Sequence, residues 1–331
     1  MLKEALYYKA DSDNLIECHL CPHHCKLKVG QKGSCQVRYN ENGKLYTQNY
    51  ANVSSLALDP IEKKPLYHFF PSKMILSAGT YGCNLSCNFC QNHTIAQEIG
   101  KGPYITPNEM LAICLNAQAE NSVGLAFTYN EPTIWYEYIL EMAQLLKENH
   151  LKVALITNGY IETKPLEKLL PFIDAFNIDL KGFNNSFYQR NCKAQIDPVK
   201  NVIEKVAGKA HLEITTLLIP DENDDIKEME SLASYIASIN PDIPLHLSRY
   251  FPAYKLKKLA TPLKTMEISK NIACEYLKFV YLGNMGQESN TYCQNCKALL
   301  IKRDNYNVDL VNLQGNKCSN CGIDVEFIKN S

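Results

Sequence analysis

Met74-Ile75-Leu76-Ser77-Ala78-Gly79-Thr80 runs without a break into Tyr81-Gly82-Cys83-Asn84-Leu85-Ser86-Cys87-Asn88-Phe89-Cys90. The first segment reads as a buried strand. The second reads as a loop carrying three cysteines at C-x3-C-x2-C spacing. Working outward, further strands are predicted at Val123–Asn130, Lys152–Gly159, Ala175–Gly182, His211–Ile219 and Pro244–Phe251. Helical patterns separate them, at 106–120, 132–149, 162–170, 197–208, 224–239 and 262–276. Strand–helix alternation demands parallel strands joined by crossovers, so the fold class is α/β. Six such units predict a (β/α)6 partial TIM barrel, with an open doubly wound sheet as the alternative. In both, functional groups belong at the C-terminal ends of the strands.

Those ends are polar. The first strand delivers the cysteine loop, the second ends in Tyr129-Asn130-Glu131-Pro132, and the third in Thr157-Asn158-Gly159. The fourth carries Asp179 and Lys181, followed by a polar loop, Asn184–Asn191. Each has a plainer reading. Asn130 suits a helix N-cap with Glu131 and Pro132 in the first turn. Asn158-Gly159 is an ordinary turn pair. Asp179 and Lys181 alternate onto one strand face and suit an ion pair.

Cysteine is the compositional outlier, with fourteen in 331 residues. A chain of this length without an export-like start points to metal or redox chemistry rather than a disulfide scaffold. Eleven fall into three groups: Cys83, Cys87 and Cys90; Cys18, Cys21, Cys25 and Cys35; and Cys293, Cys296, Cys318 and Cys321. Cys114, Cys192 and Cys274 are scattered and read as small buried hydrophobes. The groups divide the chain into an N-terminal cysteine-rich segment (1–70), the strand–helix core (71–285) and a C-terminal four-cysteine tail (286–331), with Gly286 to Asn290 as a linker.

Three thiolates can hold three irons of a [4Fe–4S] cluster and leave the fourth iron open, whereas full ligation takes four cysteines. The first group could close a second iron–sulfur cluster or a zinc site, and the cluster-like run of spacings favours iron–sulfur. The tail has two C-x2-C knuckles, which read as a zinc ribbon, with a rubredoxin-like iron site open to the same ligands. A net charge of −1 gives no basic footprint for nucleic acid. No apolar run reaches the ~18 residues of a membrane span. The expected location is the cytoplasm. Lys255, Lys257, Lys258 and Lys264 form a local basic stretch around Tyr254.

The cysteine loop in its strand context, with Phe89 before its last cysteine, resembles the signature of the radical S-adenosylmethionine (SAM) superfamily. Asp59-Pro60-Ile61-Glu62-Lys63-Lys64-Pro65-Leu66-Tyr67-His68-Phe69, Gln91-Asn92 and Tyr129-Asn130-Glu131-Pro132-Thr133 are similar to the branch close to pyruvate formate-lyase activating enzymes, and within it to the AmmeMemoRadiSam system radical SAM enzymes.

The resemblance implies that the open iron chelates SAM and that one-electron reduction splits it. The products are methionine and a 5′-deoxyadenosyl radical, which abstracts hydrogen from a small-molecule or protein substrate. It further implies that the Phe89 backbone meets adenine, Glu131 the methionine ammonium, Asn158 the ribose, and Asp179 and Lys181 the carboxylate side. Many relatives carry Gly-Gly-Glu where this chain has Tyr129-Asn130-Glu131, and an Asp of a cation site where it has Ile156. The implied partners are a low-potential flavodoxin- or ferredoxin-type donor and companion proteins of the same system. A glycyl-radical enzyme activase is one form of this activity. A non-catalytic iron–sulfur electron-transfer or metal-binding scaffold is the reading from another class.

Overall fold

The computed structural model describes residues 2–329 apart from 99, 101, 287, 288, 326 and 327. Two residues of the linker expected at Gly286 to Asn290 therefore lie outside the described residues. The core is one sheet of eight strands: β1 (Ser55–Pro60), β2 (Met74–Gly79), β3 (Ser122–Phe127), β4 (Lys152–Thr157), β5 (Ala175–Asp179), β6 (His211–Leu218), β7 (Leu245–Arg249) and β8 (Val280–Gly283). Their spatial order is their chain order. β1 runs antiparallel to β2, and every later pair is parallel. A doubly wound sheet reverses strand order at a switch point, so this order excludes that alternative.

Six helices make the crossovers: α1 (Pro107–Ala117), α2 (Tyr136–Glu148), α3 (Thr163–Leu169), α4 (Ile196–Val206), α5 (Ile226–Ile239) and α6 (Leu263–Cys274). Local chemistry starts them. Thr106 and Glu109 form a reciprocal capping box ahead of α1, with Pro107 at its first position. The Asp225 side chain caps α5. All six expected strands and helices are present. The sheet gains two edge strands that the periodicity did not show, β1 and the four-residue β8. Cys274 corrects an expectation: as the last residue of α6 it is exposed rather than buried.

One face of the sheet carries buried polar residues, and a strap of the chain's own residues, 61–70, covers them. Asn177 donates to the Pro65 carbonyl at 2.7 Å. Glu213 accepts from the backbone N–H groups of Tyr67 and His68 at 3.0 and 2.7 Å, and bonds His211 and His246 at 2.9 and 2.6 Å. The tail locks the strap from outside. Arg303 donates to the Tyr67 carbonyl at 2.6 Å and lies 4.5 Å over the Tyr67 ring. At the strap's start, Asp59 takes Lys63 and Lys64 at 2.8 and 2.7 Å and accepts from the Tyr129 hydroxyl at 2.6 Å. The N-terminal segment adds two small three-stranded sheets, and the tail adds a three-stranded sheet and a hairpin. Among the described residues no helix is long and apolar enough to cross a membrane.

Candidate active site

The cysteine loop leaves β2 at the C-terminal edge of the sheet, and its start is pinned from the neighbouring strand end. The Asn130 side chain accepts from the Thr80 N–H at 3.1 Å and donates to the Gly82 carbonyl at 2.9 Å. Asn130 is therefore not the helix cap that its position suggested. Glu131 caps the short 3-10 turn Pro132–Trp135 instead, accepting from Thr133 N–H. Gly82 adopts φ +91, and a Cβ there would lie 2.7 Å from Val37 Cγ1 and 2.8 Å from the Cys35 carbonyl, so only glycine fits without displacement. Further along, Ser86 and Asn88 donate their N–H groups to the carbonyls of Cys192 and Asn191 at 3.1 and 2.9 Å. Those acceptors belong to a π-helical turn, Tyr188–Cys192, that follows a short helix in the segment expected as a polar loop.

Cys83, Cys87, Phe89, Cys90, Glu131, Asn158, Asp179 and Lys181 all line one cavity of about 470 Å³. Lys63, Lys64 and Tyr129 contribute to its wall from the strap side. A larger cavity, about 570 Å³, lies among Phe70, Lys152, Asp174 and Lys209, and none of the cysteines lines it.

Hydrogen-bond donors face the sulfurs. Leu85 N–H lies 3.3 Å and Asn158 Nδ2 3.8 Å from Cys83 Sγ. Burial pushes the Cys83 and Cys90 thiols up. A hydrogen bond from the Cys192 thiol lowers Cys87. Burial works against the Lys181 charge, but Asp179 at 2.8 Å, with Cys87 and Cys192, outweighs it and holds Lys181 well above its ordinary value. Three sulfurs, donors to two of them and a partly buried cation beside them suit an anionic thiolate-bound group.

The other expected residues are more committed to the fold than their types suggested. The Glu131 carboxylate accepts from Thr133 N–H, Thr157 Oγ1 and Asn158 N–H at 2.8, 2.7 and 2.8 Å. A carboxylate has about four acceptor positions, so one remains. Burial raises its pKa. Asn158 spends its amide on Asn84 Oδ1 at 2.9 Å and its oxygen on Tyr160 N–H at 2.8 Å. Asp179 and Lys181 form the ion pair that their alternation allowed. Sequence reasoning missed three contributors: Asn130, which anchors the loop; Asn84, which ties it to Tyr160 at 2.7 Å; and Cys192, first read as a scattered core thiol. Only Asn130, beside Glu131 at a strand end, carried a signal that could have found it.

The outer cysteine groups differ in size. In the tail, Cys293 and Cys321 sulfurs lie 3.8 Å apart and those of Cys296 and Cys318 3.7 Å apart, and all four ligand atoms lie within 4.8 Å of one another. A tetrahedral ion with metal–sulfur bonds of about 2.3 Å separates its sulfurs by about 3.8 Å. The two knuckles repeat one geometry. Lys297 and Gly322 take left-handed φ of 60 and 74, and their N–H groups donate to Cys293 and Cys318 carbonyls at 3.0 and 2.8 Å. Asn320 donates to Cys296 Sγ at 3.3 Å. At the N-terminus, Cys18, Cys21, Cys25 and Cys35 surround a small closed cavity with Arg38 and His23. Among the described residues they do not close to single-ion spacing. Arg38, buried and paired with Glu137, reaches Cys18 Sγ at 3.9 Å, and Ser34 N–H lies 3.4 Å from Cys25 Sγ. His23 Nε2 bonds the Asn84 carbonyl at 2.6 Å, tying this site to the central loop.

A thiol-bearing loop at the C-terminal edge of a parallel sheet, opening onto a polar cavity, sets this molecule among α/β proteins that carry their chemistry at strand ends. Residues 78–233 match the model of the Radical SAM superfamily, so the chain carries a Radical SAM domain. An uncharacterized protein of Methanocaldococcus jannaschii is 42% identical over 342 residues, covering 99% of this chain and 100% of the relative. Pyruvate formate-lyase-activating enzyme of Clostridium pasteurianum is 24% identical over 164 residues, 48% of this chain and 67% of that one. The fold is similar to that of a radical SAM methyltransferase from Sphaerobacter thermophilus, with a TM-score of 0.51 and 16% identity over 65% of this chain and 67% of the other.

Proposed function

We propose that this chain is a radical SAM enzyme whose [4Fe–4S] cluster is held by Cys83, Cys87 and Cys90. Its core (71–285) acts as a (β/α)6 partial barrel, with 1–70 and 286–331 as metal-binding additions. The observation that carries this reading is the convergence of those three thiols with Glu131, Asn158, Asp179 and Lys181 on one cavity. When bound, the cluster supplies the electron that splits the SAM carbon–sulfur bond, and the adenosyl fragment then takes hydrogen from a substrate.

The chain's own residues prepare that event. Leu85 N–H and Asn158 steady the Cys83 sulfur, and Lys181 offsets negative charge near Cys87. The free acceptor position of Glu131 is available to an ammonium group. The Asp179–Lys181 pair at the cavity wall suits a carboxylate and its neighbouring charge. Phe89 borders the same space.

The relative named for pyruvate formate-lyase activation favours a protein substrate, either a glycyl-radical enzyme or a companion protein of the same system. The single-ion spacing in the tail supports zinc there. The wider N-terminal group supports a second iron–sulfur cluster. The electron comes from a low-potential flavodoxin- or ferredoxin-type donor.

The test is anaerobic reconstitution, reduction with dithionite in the presence of SAM, and measurement of 5′-deoxyadenosine. Cys83→Ala, Cys87→Ala and Cys90→Ala should each abolish the product. Undiminished product from any one of them overturns the assignment.

A further inference from the structure

The segment that follows β7, residues 251–261, packs against the cysteine loop outside the lining of the cavity. The N–H groups of Lys255 and Leu256 both donate to the Asn88 carbonyl, at 2.9 and 3.0 Å, and Asn88 stands between Cys87 and Cys90. Tyr254 stacks on His93, with ring centroids 4.6 Å apart, so the segment grips the chain on both sides of Cys90. No residue of 251–261 lines the cavity.

The surface here is both basic and apolar. From Ile243 to Met266 the chain holds Arg249, Lys255, Lys257, Lys258 and Lys264 and no acidic residue. Asp221 and Glu222 offset Lys258, each at 3.4 Å, while Lys255, Lys257 and Lys264 are exposed. Leu259 is 85% exposed among these lysines, and Phe251 41%.

We infer that this segment is the docking face for the protein that delivers the electron: an acidic one-electron carrier of flavodoxin or ferredoxin type. The inference rests on the radical SAM reading above. Exposed lysines around apolar side chains steer an acidic partner and then give it a dry contact. A partner seated here is one hydrogen bond and a few covalent bonds from Cys87 and Cys90, and electron tunnelling falls steeply with distance. It also leaves the cavity free. The reacting group of a substrate must reach the cavity, and residues 251–261 do not line it. In the step served, a reduced flavin hydroquinone anion gives up one electron, becomes the neutral semiquinone and keeps its N5 proton. The cluster accepts that electron, passing from the 2+ to the 1+ state.

The experiment uses cluster-loaded full-length protein, wild type and the double variant Lys255→Glu with Lys257→Glu, with Leu259→Ser as a third protein. Isothermal titration with a flavodoxin and with a ferredoxin, at low and high salt, gives Kd. Cleavage of SAM is then driven either by the reduced carrier or by dithionite. The double variant should raise Kd tenfold or more at low salt and flatten its salt dependence. Carrier-driven cleavage should slow, and dithionite-driven cleavage should stay unchanged. Unchanged Kd and carrier-driven rate, or no salt-sensitive binding of either carrier to wild type, overturns the docking face. So does unaltered carrier binding with a loss confined to a protein substrate. Failure of wild type to cleave SAM with dithionite overturns the radical SAM reading instead, and the titrations still decide the docking face.

Discussion

Glu131 joins the ends of two strands before it meets any ligand. Its carboxylate receives three internal donors, one from its own turn and two from Thr157 and Asn158 at the end of β4. In Glu131→Gln an amide NH2 replaces one acceptor oxygen and faces a donor. A buried donor left unsatisfied costs about 1–3 kcal/mol. The expected outcome is a stability loss of that size by chemical denaturation, together with weaker SAM binding by titration, because Asn158 loses its anchor beside Cys83. A variant that loses SAM affinity at unchanged stability would show Glu131 to be a ligand and not a brace. The residue type and strand-end position were legible in the sequence. The brace was not, because Thr157 and Asn158 approach Glu131 only once β3 and β4 pair.

Among the elements, the strap is the part that the sequence concealed. β2 to β7 were readable because parallel strands covered on both faces are apolar runs closed by polar residues. β1 was not, since it is an edge strand with Leu56 exposed, inside a turn-rich stretch. The strap's bonds span 112 residues from Asn177 to Pro65 and 146 from Glu213 to Tyr67, beyond any local pattern. Glu213 in the middle of a strand looks misplaced until its four donors are seen.

Burial raises the Glu213 carboxyl, but His211 and His246 outweigh it and leave its pKa well below the usual value. Glu213→Gln should therefore cost about 3–5 kcal/mol, the usual penalty for breaking a buried ionic network, read as a lower urea midpoint.

His68 sets a pH dependence on the same strap. Burial lowers its pKa from 6.5 to about 3. Between those values the unfolded chain binds the proton more readily than the folded one. Its contribution is complete above pH ~6.5 and is lost as pH falls toward ~3, by up to about 1.4 kcal/mol per unit. The Glu213 contribution is lost in the same direction, below the ordinary carboxylate value. Urea midpoints should fall between pH 6.5 and 5, and His68→Gln should flatten that slope.

At the scale of the whole molecule, the proposed metal sites are separable by chemistry but not by truncation. Deleting 286–331 would remove the knuckles but also take Arg303 from Tyr67 and bare the strap. Cys318→Ala with Cys321→Ala is the cleaner change. It should remove about one zinc per chain and leave the iron, by metal analysis of anaerobically purified protein. Iron in place of that zinc would mean a rubredoxin-like site. Cys18→Ala with Cys21→Ala should halve the iron and keep the SAM-sensitive paramagnetic signal, because the proposed function gives that signal to the loop of Cys83, Cys87 and Cys90. Zinc at this site would leave the enzyme a single cluster. Spacing made all three cysteine groups legible. Their sizes were not legible, since sulfur separations depend on folds that the intervening residues make.

Gly82 is the wall between two of those sites, and a wall one glycine thick has a consequence for how the chain can vary. A side chain at 82 would press on Cys35 and Val37 at once. A bulkier residue at 37 would press back on the loop of Cys83. Positions 35–37 and 82 are thus sterically one unit. A side chain introduced at 82 alone would strain both pockets, so a change there has to be matched by room made at 35–37.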